Sequence, residues 1–306
     1  MKNGFKRIAA LGFIFVLVLG LLAGCGESGN KTPTEPIQIA SKPMTEQFIL
    51  TEMLKQLIEA DTDYKAEITK GVGGGTSNIQ PALLKGDFDL YPEYTGTAWL
   101  NVLKKTEIPE DAVLLEELEK DYEDQFKLEW VGMYGFNNTY TLAVRNEIAE
   151  QYNLESYSDL AAHSGNLVFG GNADFQERED GFPALCKVYH MKFKDTVDID
   201  IGLKYQALAK GQIDVTNAYT TDAQLSVADV KLLKDDKKFF KNYYCGTVVR
   251  QDTLKKYPEL KAVLMKMDGI LTNDEMASLN YQVEVNKKDE ADVAREFLQS
   301  KGLLKK

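Results

Sequence analysis

Histidine and cysteine are scarce in this chain of 306 residues: two of the first, His163 and His190, and three of the second, Cys25, Cys186 and Cys245. Metal clusters and nucleophile-base pairs therefore have few residues to draw on. No G-x-S-x-G, H-E-x-x-H or C-x-x-C pattern occurs, and Ser164 beside His163 is a sequence neighbour with no motif around it. Positive charge is also short, with 36 Lys and Arg against 47 Asp and Glu, a formal net of -11. That balance disfavours a surface built for nucleic acid or anionic lipid. The one basic stretch with aromatics, KDDKKFFK (234–241), is diluted by its own acids. These shortages disfavour enzymes, and they leave a cationic or zwitterionic partner as the better fit.

Only the N-terminus carries a long apolar run. Lys2, Lys6 and Arg7 precede residues 8–22, an apolar stretch of fifteen, and Ala23, Gly24 and Cys25 follow. A transmembrane helix needs about 20 apolar residues, so residues 1–24 read as a signal peptide. LLAGC (21–25) resembles the bacterial lipobox, in which the cysteine is diacylated and becomes the mature N-terminus. Residues 25–36 then form a lipidated tether without apolar periodicity, and the body lies outside the membrane. Loss of residues 1–24 removes three positive charges and no negative one. Cys186 and Cys245 remain in a compartment that permits disulfides. Their spacing leaves both a bridge and two buried thiols open.

Beyond the tether, strands and helices alternate. IQIA (37–40) reads as a strand, and the period of Phe48, Ile49, Met53, Leu54, Leu57 and Ile58 as a helix with Thr45 as its N-cap. A strand at 64–70, the loop GVGGGTSN (71–78), a helix near 77–85 and a strand in DFDLY follow. Helix 109–125 and strand 127–131 complete this part. YTLAVR (140–145) opens a second series, with NLVFGG (166–171), helices near 179–190 and 200–210, and the strand IDVTNAY. The chain from CGTVVR (245–250) onward is mostly helical. Such alternation implies an α/β fold of parallel sheets covered on both faces.

One internal echo stands out. LKGDFDLYPEY (84–94) and AKGQIDVTNAY (209–219) both place Lys-Gly at a helix end, an Asp three residues after the Gly, and a Tyr five after that. Gly86 and Gly211 suit left-handed helix C-caps. Tyr94 and Tyr219 fall just past strand C-terminal ends, where open α/β sheets bind ligands. Two facing lobes would bring both to one cleft.

Fifteen tyrosines make that cleft chemically specific. Tyr94, Tyr140, Tyr205, Tyr219 and Tyr243 lie at predicted strand ends or loops, and an electron-rich cage suits a quaternary ammonium, which cannot donate a hydrogen bond. Each ring face is worth about 0.5–2 kcal/mol to a desolvated cation. For any single Tyr, packing is the competing role. A betaine also needs donors for its carboxylate, and Gln47, Thr97, Asn138 and Arg178 are the candidates, Arg178 being the one able to clamp it bidentately. The loop 71–78 reads equally as an anion-binding nest or as a turn that lets the helix pack. Glu93 beside Tyr94 reads as a surface carboxylate or as a neutraliser of bound cation. His163 ends a surface helix, and His190 lies at the polar edge of a packed segment.

IASKPMTEQFILTEML, GGTSNIQPALLKGDFDLYPEYTGTAW, GFNNTYTLAVR, KYQALAKGQIDVTNAYTTDAQL and LKDDKKFFKNYYC, in this order, cover nearly the whole mature chain. Together they resemble the substrate-binding component of ABC importers for glycine betaine, carnitine and choline. The resemblance implies a type II periplasmic-binding-protein fold: two α/β lobes joined by two crossovers and closing by a hinge over an interlobe cleft. Lobe 1 would be residues 37–140 and 245–306, and lobe 2 residues 141–244. In that family tyrosines grip the trimethylammonium, and Tyr94, Tyr140, Tyr205, Tyr219 and Tyr243 match them, while Gln47, Thr97 and Asn138 resemble residues around the carboxylate. YPEYTGT, NADFQERED and GGGTSN look more like a branch that binds ergothioneine, a trimethylated histidine derivative. A monomeric lipoprotein without cofactor, partnered by a permease and its ATPase subunits, is the implied whole. The rival from another class is a surface hydrolase using carboxylates near Glu93.

Overall fold

The structure, a computed structural model, describes residues 35–171, 175–176, 181–200 and 203–305. Strand β1 (Ile37–Ala40) leads into helix α1 (Thr45–Asp61). The buried faces of that helix carry Ile49, Leu50, Met53, Leu54, Leu57 and Ile58, a spacing that repeats with the helical turn. Met44, not Thr45, is the capping residue, and its carbonyl accepts from the backbone N–H groups of Gln47 and Phe48. Truncating a buried leucine such as Leu54 to alanine on this face would cost about 2–5 kcal/mol.

Strand β2 (Ala66–Thr69), helix α2 (Thr76–Lys85) and strand β3 (Leu90–Tyr94) follow, and β4 (Leu128–Asn137) ends the first run. The second run contains β5 (Tyr140–Arg145), β6 (Val168–Gly171), β7 (Asp195–Asp198), β8 (Val215–Tyr219) and β9 (Val230–Leu232). Strand β10 (Tyr244–Arg250) then returns to the first sheet, and helices Asn273–Glu284 and Glu290–Ser300 close the chain. Two five-stranded sheets result, ordered β2-β1-β3-β10-β4 and β7-β6-β8-β5-β9.

Neither sheet is wholly parallel, contrary to the expectation from strand-helix alternation. Strands β1, β2 and β3 run parallel, but β10 is antiparallel to β3 and to β4. In the second sheet β5 is likewise antiparallel to β8 and β9. The cause is the crossing between sheets. Only Asn138 and Thr139 separate β4 from β5, and β10 also arrives from the other sheet. A strand delivered from the facing sheet enters at the end where β3 and β8 finish, so it must run against them.

The echoed segments occupy equivalent places. Asp89 and Asp214 each take a backbone N–H from a central parallel strand, Gln38 at 2.8 Å and Val168 at 2.9 Å. Their own carbonyls accept from Arg250 N and Arg145 N, both at 3.1 Å. Gly86 and Gly211 have φ of +91° and +66°, and a Cβ on either would strike the guanidinium of Arg250 or Arg145. Both positions therefore require glycine.

Cys186 and Cys245 are unbridged thiols, the first half-buried and the second fully buried in a different core. Among the described residues no helix is long and apolar enough to cross a membrane.

Candidate functional site

The two crossings lie side by side. Asn138 N donates to the Tyr243 carbonyl, and Tyr243 N to the Asn137 side chain at 2.7 Å. Thr139 and Thr220 exchange bonds, which pin the first crossing to the residue after β8. The strand ends that carry tyrosine are thereby drawn together around a cavity of about 480 Å³.

Four of the five expected tyrosines, Tyr94, Tyr140, Tyr219 and Tyr243, line it together with Thr97 and Asn138. Tyr140 and Tyr219 are direct cross-strand partners. Their rings stack with centroids 4.7 Å apart, and the Tyr219 hydroxyl donates to that of Tyr140 at 3.0 Å. Phe175 and Phe240 back Tyr140 at 5.0 and 5.6 Å. Tyr243 lies against Gly96, where a Cβ would come within 2.5 Å of the ring. The missing side chain at Gly96 is what makes room for this wall of the cavity.

Tyr94 ends β3 and is buried. Its hydroxyl donates to Glu46 and approaches Met44 Sδ at 3.6 Å. Burial, reinforced by the Glu46 charge, pushes its phenol well above the usual range, so it stays neutral. Lys42 Nζ sits 4.6 Å from the Tyr94 ring centroid and pairs with Glu93. Glu93 is 0% exposed and also accepts from Thr76 Oγ1 at 2.6 Å and the Tyr91 hydroxyl at 3.0 Å. It is an internal, ion-paired group, and not the surface carboxylate considered from sequence.

Glu46, 4% exposed, has a different environment. It accepts from Tyr94, from Asn138 Nδ2 at 3.0 Å and from Asn280 Nδ2 at 3.5 Å. Burial pushes its carboxyl above the ordinary range, against the pull of these donors and of the Thr221 side chain. Asn280 also donates to the Thr221 carbonyl, just beyond β8.

The remaining candidates stand apart. Tyr205 lies behind the cavity wall: its hydroxyl donates to Asp222 at 2.8 Å, and Asp222 is also paired with buried Lys204 and accepts Tyr219 N at 3.2 Å. Gln47 is fully buried, its Nε2 4.0 Å from Cys245 Sγ, and does not line the cavity, reaching it only through a side-chain hydrogen bond to Tyr94. The helix periodicity that turns Glu46 toward Asn138 directs Gln47 into the core. Arg178 and Cys25 lie outside the described residues. Gly74, Thr76 and Ser77 bring the start of α2 to the cavity edge.

Sequence reasoning missed Lys42 and Glu46. Lys42 follows the C-terminal end of β1, so the rule that found Tyr94 and Tyr219 would have found it. Glu46 gave no such signal, because its partners come from distant segments. The Ser164–His163 pair is structural. Ser164 Oγ donates to Ala161 O and accepts Lys192 N, and His163 stacks on Tyr152 at 4.5 Å. Among the described residues no His, Cys, Asp and Glu cluster could hold a metal.

Residues 35–300 match the family model described as the substrate binding domain of ABC-type glycine betaine transport systems. The chain is 47% identical over 274 residues to the Helicobacter pylori ergothioneine transport permease/ergothioneine binding protein EgtU, an alignment covering 90% of this chain and 49% of that protein. It thus spans about half the length of that relative. Over 298 residues it is 37% identical to the Listeria monocytogenes carnitine transport binding protein OpuCC, with 96% of each covered. A solved glycine betaine/carnitine/choline ABC transporter structure superposes with a TM-score of 0.83 at 34% identity, covering 87% of this chain and 99% of that one.

Proposed function

The chain belongs to the family of substrate-binding domains of ABC-type glycine betaine transport systems, and from that premise we propose that its cleft captures a quaternary ammonium solute outside the membrane for a cognate permease. One observation carries the reading: Tyr94, Tyr140, Tyr219 and Tyr243 converge on one cavity from both sheets and a crossing. Ring faces hold a diffuse cation without asking it for a hydrogen bond. Thr97, which lines the same cavity, supplies a polar group for the opposite end of a zwitterion. Tyr205 supports Tyr219 through Asp222 and does not touch ligand.

Residues 37–140 with 245–306 act as one lobe and 141–244 as the other, and the paired crossings are the hinge on which they close. Cys25 carries the lipid that tethers the monomer to the membrane. The chain transforms no bond and needs no cofactor, and other subunits hydrolyse ATP. Isothermal titration with glycine betaine, carnitine, choline and ergothioneine tests the reading. At least one should bind, and failure of all four would sink it.

The higher identity to a protein named for ergothioneine favours a second, narrower reading, in which the ligand is an amino-acid-derived betaine of that kind. Competition then ranks ergothioneine above carnitine. The reverse order removes this narrower reading and leaves the broader one standing.

A further inference from the structure

Three buried or half-buried carboxylates surround the tyrosines, and two have their own cation. Glu93 is paired with Lys42 and Asp222 with Lys204. Glu46 has no ion-pair partner among the described residues, and its donors Tyr94, Thr221, Asn138 and Asn280 are all neutral. A buried charge without a counter-charge is costly. Two of these donors, Tyr94 and Asn138, line the cavity.

We propose that Glu46 is the counter-charge of the tyrosine cage, a positioning residue that acts through Tyr94 and Asn138 to make the site demand a cation. The proposal rests on the quaternary ammonium reading above. Its carboxylate lies behind Tyr94, fixes the direction of the phenol, and adds negative potential to the ring that faces the cavity. An entering quaternary ammonium supplies the positive charge that the protein withholds from Glu46. The ligand and the carboxylate therefore favour each other. Asn280 extends the same network to the Thr221 carbonyl, so the counter-charge also touches the segment that follows Tyr219.

Binding should accordingly weaken as Glu46 takes up a proton. The other titratable groups facing it are Tyr94 from β3 and Cys245 from β10, both pushed up by burial and neutral in this range. Lys42 and Glu93 lie nearby as a mutually neutralised pair.

The test is titration calorimetry of the full chain with glycine betaine, carnitine and ergothioneine from pH 7.5 to 5. The wild type should bind at least one, and its affinity for that compound should fall severalfold as the pH drops. Glu46→Gln keeps hydrogen-bonding capacity, yet should bind at least tenfold more weakly at pH 7.5 with a flat profile. Glu46→Asp should recover part of the affinity and the slope. Glu46→Gln binding within threefold of wild type, or a flat wild-type profile, overturns the proposal even if Glu46→Gln folds poorly. If no compound binds the wild type, the quaternary ammonium reading itself fails and this proposal falls with it.

Discussion

At the scale of single residues, Glu46 makes a prediction about stability that runs opposite to its role in binding. Burial raises its folded-state pKa above the ordinary carboxylate value, so the folded chain binds a proton more tightly than the unfolded chain. The stability tied to that proton is complete below the unfolded-state pKa, about 4.3, and is lost as pH rises through the folded value. Glu46→Gln should therefore melt above the wild type at pH 7, with the difference closing below pH 4. Equal melting temperatures at pH 7 would contradict this account of the buried charge. The tyrosines divide in the same residue-by-residue way. Tyr219→Ala should weaken binding at least tenfold, about 1.4 kcal/mol, because its ring lines the cavity. Tyr205→Phe loses only the bond to Asp222 and should change affinity less than threefold. Calorimetric titration of both variants checks the contrast, and a larger loss in Tyr205→Phe would return that residue to the cage.

Elements set where those residues stand. The helix-Gly-strand echo was legible because Gly, Asp and Tyr recur at fixed offsets, and the structure gives the reason for each. The Gly takes a left-handed φ under an arginine, the Asp caps a central strand, and the Tyr ends at the cleft. Gly86→Ala and Gly211→Ala should each destabilise the fold by about 1–2 kcal/mol, the cost of left-handed backbone, or more once the arginines must move. Denaturant melts with unchanged midpoints would contradict that. Gly96→Ala differs, because its methyl would displace the Tyr243 ring and not the backbone. It should weaken ligand binding about tenfold while leaving the fold intact, and titration beside a melt separates the two effects. Strand direction was not legible, because periodicity within a strand carries no information about which sheet delivers it. The mixed sheets follow from the crossings at Asn138–Thr139 and before Tyr244, which no local pattern announces. Local grammar likewise marked Gln47 as exposed to ligand, while its place on α1 turns it toward Cys245.

For the whole molecule, the scarcity of histidine and the excess of acid disfavoured some function classes, and the tyrosines pointed to one among the others. Four of the five expected tyrosines share one cavity, a juxtaposition carried by matching registers in the two sheets. Ligand that binds only the folded, closed chain should stabilise it by about 2.7 kcal/mol at a hundredfold excess over Kd, seen as a rise in Tm and a smaller radius of gyration by X-ray scattering. The central claim is that the cage selects a permanent, methylated cation. Its most direct test is the affinity ratio between ergothioneine and its unmethylated primary-amine counterpart, and between carnitine and its unmethylated counterpart, measured by calorimetry. A preference of at least tenfold for the trimethylated member of a pair is the predicted result. Equal or tighter binding of the primary amines would contradict the account.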